Sequence, residues 1–134
     1  MAGKNYLINE GNQIGYMDAS FDDNLNLVQK KLVAGADIEK GQVVIVSDDM
    51  TVIPSDGSSK CVLGVAMFDC EAGKPIAVEC EGLMRLTAAA TITAPAEIEA
   101  AADGKVKTAA DGKVIGIALS DASANGDVIV KLSV

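Results

Sequence analysis

Residues 61–80 read CVLGVAMFDCEAGKPIAVEC, and residues 113–132 read KVIGIALSDASANGDVIVKL. A shift of 52 positions lays Leu63 on Ile115, Gly64 on Gly116, Val65 on Ile117, Ala66 on Ala118, Met67 on Leu119 and Asp69 on Asp121. It then lays Ile76 on Val128, Val78 on Val130 and Cys80 on Leu132. Each copy is an apolar segment containing glycine, a polar turn and a second apolar segment. That is the pattern of a β-hairpin, made twice. A duplicated hairpin with no chemistry between its strands points to a building part rather than a catalyst.

Outward from these hairpins the text keeps the same character. QVVIVS at 42–47 is β-branched and bounded by turn residues, so it reads as a strand. Asp48-Asp49 marks a tight turn before a second strand over 50–54. Further strands are expected over 62–68, 75–80, 83–87, 105–108, 114–119 and 127–132. Pro75 suits a first strand position, where a missing N–H does least harm. Asp111-Gly112 and Asn125-Gly126 readily take positive φ and suit hairpin turns. Around Ala88–Ala102 the signals change. Pro95, the early Glu97 and Glu99, and Gly104 beyond predict a short helix over 96–102; a polar crossover with one strand is the alternative. The sum is a mostly β chain of about eight to nine short strands, arranged as a small barrel or sandwich.

Composition agrees with that class. The chain has 134 residues, enough for one domain with a real core. Aromatics are 3% and there is no Trp, so Val, Ile, Ala and Leu must fill the interior. Residues 1–32 differ from the remainder and read as an N-terminal arm or lead-in, with the β-rich domain over 33–134. The arm holds Tyr6, Tyr16 and Phe21, three of the four aromatics, and shows weak periodicity. A short strand or a helical turn fits residues 25–32 equally well. Aromatics on such a lead-in are candidates for docking into another protein, and Tyr6, Ile14, Tyr16, Met17 and Phe21 are the candidate partner-binding residues. Packing onto the chain's own barrel is the competing role for them.

The net charge of −8 and pI near 4.4 speak against nucleic-acid binding, which wants a basic face. No stretch approaches the roughly 20 apolar residues of a membrane span, and the first residues contain no signal-peptide core. Three cysteines, an odd number, argue against a disulfide framework and for a reducing, cytosolic folding environment. Cys61 and Cys80 fall in apolar strand slots and are expected to be buried.

Chemistry is hard to find. The chain has no histidine, which removes the commonest general base and metal ligand. The cysteines lack the close pairs of zinc sites. Cys70 lies between Asp69 and Glu71 rather than beside a base or a cation. No phosphate-binding glycine motif occurs. Asp22-Asp23 and Asp48-Asp49 are turn acids without the calcium-loop pattern. Lys74 in a turn is reminiscent of a lipoyl or biotinyl carrier hairpin, but Gly73-Lys74-Pro75 lacks the flanking residues of those carriers. No catalytic, cofactor, metal or small-molecule site is expected.

Over residues 33–134 the ordered motifs resemble the capsid decoration, or head-stabilising, proteins of tailed bacteriophages. The resemblance rests on Ile38–Val44, on Leu63-Gly64-Val65-Ala66 through Ala72-Gly73 to Val78 and Gly82, and on Ile115-Gly116-Ile117-Ala118-Leu119 through Val128, Val130 and Leu132. The second copy has no clear counterpart of the first strand's motif, and the arm is longer than the family minimum. The resemblance implies a structural cement protein. It would be made in the bacterial cytoplasm and mounted as a homotrimer on the capsid exterior, against the major capsid protein. Another phage structural β-domain, of spike or tail, is the runner-up; a small barrel carrier or enzyme domain is third.

Overall fold

In the computed structural model the chain is described over residues 31–58 and 60–134. The duplication is visible there as a repeated set of strands. Strand β4 is Val62–Ala66 and β9 is Val114–Ala118, the same strand 52 residues later. Its partners repeat too. β2 (Val43–Asp48), β3 (Thr51–Pro54) and β5 (Val78–Glu79) recur as β7 (Ala96–Ala100), β8 (Val106–Thr108) and β10 (Asp127–Ser133). β1 (Val33–Ala34) joins the edge of β3 in parallel, and β6 (Glu81–Thr87) joins β10 antiparallel. Two five-stranded sheets result, ordered β1-β3-β2-β4-β5 and β6-β10-β9-β7-β8. Both curl, and the described chain is all-β with ten strands.

The register repeats pair by pair. Val44 faces Pro54 and Ile98 faces Thr108; both partners move by 54. Val65 faces Glu79 and Ile117 faces Lys131; both move by 52. The change from 54 to 52 lies in one loop, since β3–β4 spans residues 55–61 while β8–β9 spans only 109–113. Even the irregularity is copied. Val44 pairs Gly64 and Ile45 pairs Val62, which leaves Leu63 extra; Ile98 pairs Gly116 and Glu99 pairs Val114, which leaves Ile115 extra. A bulge placed twice at one position is a feature of the fold rather than a defect. The shared Asp has the same task in each copy. Asp69 Oδ1 accepts from the Lys40 backbone N–H at 2.8 Å, and Asp121 Oδ1 from the Ala94 N–H at 2.8 Å. These carboxylates tie the loop ahead of β2 and β7 to the turn after β4 and β9.

The predicted helix over 96–102 is absent; Ala96–Ala100 is strand β7. Ala96, Ile98 and Ala100 alternate with Glu97 and Glu99, a period of two that fits a pleat. Ile98 is fully buried, and β7 pairs on both sides, with β8 and β9. Two ladders of hydrogen bonds outweigh the weak helix propensity of a short alanine-rich segment. Cys61 and Cys80 are also not buried as expected. Cys61 is exposed one residue before β4, and its carbonyl accepts from the Val46 N–H at 3.0 Å; Cys80, like Cys70, is half-buried.

The two cores differ in a way that matters for the surface. Ala34, Ile38, Val44, Val52 and Ala66 form a small cluster on one face of the first sheet. Their counterparts Ala88, Ile92, Ile98, Val106 and Ala118 lie in the main core. That core also takes Val43, Ile45, Val62 and Val65 from the other face of the first sheet. The first sheet is therefore covered on both faces. Hydrogen bonds seal the join: Val43 N to Gly104 O at 2.9 Å and the buried Ser55 Oγ to Ala101 O at 2.6 Å.

Candidate docking surface

The second sheet is covered on one face only. Along β10, Val128, Val130 and Leu132 are buried, while Asp127, Ile129, Lys131 and Ser133 are exposed. Cross-strand pairing sets the outward residues in rungs. Leu83, Lys131, Ile117 and Glu97 form one; Arg85 and Ile129, with Leu119 beside them, form the next. The positions that the first repeat buries are here open. Val65 is 4% exposed but its counterpart Ile117 is 43%; Val62 is 7% exposed but Val114 is 41%. Val43 and Ile45 are replaced by Glu97 and Glu99, as befits an outer layer.

Glu99 is nevertheless buried, because the loop 109–113 folds over it. Its Oε2 accepts from the backbone N–H of Ala110 at 2.9 Å and of Gly112 at 2.7 Å. Lys107 Nζ stands 3.4 Å from Oε1. The Ala110 N–H, helped by Gly112 and Lys107, holds this carboxyl below its ordinary range, and burial opposes them. The folded value lies below the unfolded one. The clamp therefore contributes fully above the ordinary carboxylate pKa, and its contribution is lost as pH falls through the depressed folded value. Glu99→Ala leaves the solvent-accessible N–H groups of Ala110 and Gly112 without their acceptor, a loss of about 1 kcal/mol. Thermal unfolding should show that loss at pH 7 and a shrinking difference from wild type as the pH drops below about 4.

A second apolar feature lies where the strands β4, β5 and β6 approach. Phe68 is 62% exposed and Leu83 69%, and they border a groove of about 510 Å³ lined also by Met67, Met84, Glu79 and Arg85. Phe68 is the aromatic among the described residues, and aromatic and Met side chains are the usual anchors of protein contacts. Lys74 sits in the β4–β5 turn, with its N–H donated to Glu71 O at 3.1 Å. Gly73 beside it has φ +86°, and Asn125 holds the same turn position with φ 65°.

The arm residues Tyr6, Ile14, Tyr16, Met17 and Phe21 lie outside the described residues. Sequence reasoning passed over Phe68, Leu83, Ile117, Leu119 and Ile129. A signal existed for part of them. Val114 to Leu119 is an unbroken apolar run, which in a strand means two apolar faces where the hairpin pattern requires one.

The geometry offers apolar patches on a β scaffold, with no metal cage among the described residues. A model of the phage cement protein family matches residues 24–133. The chain belongs to that family of phage structural proteins. In solved structures, a match is the N base of the head fiber protein gp8.5 of bacteriophage phi29, with a TM-score of 0.61 at 15% identity. The alignment covers 78% of this chain and 92% of that one, and at this identity the likeness is one of fold. No curated protein matches the sequence.

Proposed function

We propose that the chain is a non-enzymatic decoration protein that binds the outer surface of a phage capsid and stabilises the expanded head. The observation that carries this is the family match over residues 24–133, joined to exposed apolar surface on a duplicated β scaffold. The partner is the major capsid protein and the assembly a homotrimer. Residues 1–32 form an arm, with Tyr6, Ile14, Tyr16, Met17 and Phe21 as its contact residues. A protein that binds the assembled shell but not its separated parts stabilises the shell by mass action, and many copies enlarge a modest contact.

The test is co-sedimentation with expanded empty heads of the phage that encodes the chain. Purified protein should pellet with heads in a saturable, stoichiometric ratio and raise their temperature of disruption. Protein that stays in the supernatant at saturating concentration overturns the proposal. The head-fiber likeness favours a spike-like role as the second reading; binding confined to a few sites per head would support it.

A further inference from the structure

We propose that the outer face of the second sheet is where copies of this chain meet, with the faces converging on the axis of the assembly. This deepens the homotrimer named above and rests on that reading, but not on capsid binding.

The molecule shows how it uses such a face. In the first repeat, Val62 and Val65 are buried because a second repeat covers them. In the second repeat Val114 and Ile117 keep the apolar character at those places, although nothing in the chain's described residues covers them. Ile129 and Leu119 extend the patch, at 41% and 49% exposure. Single exposed apolar residues need no explanation, but a contiguous set on one sheet face does.

Charge selects a second copy as the occupant. The chain carries −8, so two copies repel over most of their surfaces. This face holds Glu81, Glu97, Glu99 and Asp127 against Arg85, Lys107 and Lys131, four acids against three bases, so it carries little of the chain's negative charge. Within one copy Arg85 stands 3.9 Å from Asp127.

Size agrees with a contact made within a ring. Strands of five to seven residues and a four-strand width give a face of roughly 20 by 19 Å, or about 380 Å² per copy. In a closed ring each copy shares this face between two neighbours, so each contact is well below a standard stable interface and association is concentration-dependent.

The experiment is sedimentation equilibrium of the full chain over a wide concentration range, with thermal unfolding as a check on folding. Wild type should associate to a trimer. Ile117→Lys should raise the midpoint concentration by at least about 30-fold while leaving the fold intact. A wild type that stays monomeric at every concentration removes the homotrimer itself. A trimer that survives Ile117→Lys overturns the placement on this face. Co-sedimentation with heads reads capsid attachment separately.

Discussion

Gly116→Ala should lower the unfolding temperature by about 12 °C or more, the equivalent of about 3 kcal/mol in a domain of this size. The reason is a collision and not a conformational preference. A Cβ on Gly116 would overlap the backbone carbonyl oxygen of Lys131 and crowd Leu132 Cα. Both obstacles are main chain of the central strand β10, which pairs on both sides and has no room to withdraw. Gly64 repeats the situation in the first sheet, where a Cβ would overlap the carbonyl oxygen of Glu79. There the obstacle is β5, a two-residue edge strand, so Gly64→Ala should cost less, about 1–2 kcal/mol. Gly73→Asn is the matching control. Nothing lies within 4 Å of its would-be Cβ, and Asn125 already holds the equivalent turn at φ 65°. Asn tolerates that left-handed conformation, so the midpoint should move by no more than about 3 °C. Differential scanning calorimetry of the three variants checks the order. A Gly116→Ala protein as stable as wild type would show that the β9–β10 approach is looser than the contact distance implies.

The same glycines explain why the fold could be read from the chain. Gly64 and Gly116 recur 52 residues apart in matching apolar frames, and that recurrence carries the strand pairing with it. Asp69 and Asp121 recur in the same way, and each accepts an equivalent bond from a backbone N–H. β7 is misread because Asp103-Gly104, where both residues take positive φ to turn β7 into β8, also reads as the end of a helix, just as Pro95 reads as its start. The pairing with β9 has no local signal at all. The surface was misjudged for a different reason. Burial of a strand's second face depends on whether another repeat lies on it. Val65 and Ile117 are the same kind of residue in the same kind of strand, and only the stacking of the repeats hides one and exposes the other. Glu97 and Glu99 in place of Val43 and Ile45 did record that difference, but their meaning requires knowing which face they share.

The stacking also predicts unequal costs for equal substitutions. Ile38 and Ile92 are counterparts. Each exchanges a pair of backbone hydrogen bonds with its partner, Ile38 with Cys70 and Ile92 with Ala122, and each is almost fully buried, at 2% and 1% exposure. Their surroundings differ. Ile92 lies in the main core, where fifteen buried residues from both sheets hold one another in place. Ile38 lies in the smaller cluster of five, bordered by the partly buried Leu32, Leu63, Cys70, Ile76 and Val78. Truncating either to Ala removes the same atoms, so the transfer loss is shared and the difference is the cavity left behind. Around Ile38 the bordering side chains reach solvent and can move inward to fill the gap. Around Ile92 such a collapse would have to drag two hydrogen-bonded sheets. Ile92→Ala should therefore cost about 4 kcal/mol and Ile38→Ala about 2–3 kcal/mol. Chemical unfolding at a fixed pH, with the slope on denaturant unchanged, measures both. Equal losses would mean that the small cluster is as rigid as the main core, and that the first repeat stands as a finished domain without the second. The expected inequality instead makes the duplicated half the keystone: the second repeat closes its own core and one face of the first, and what remains open is its own outer face.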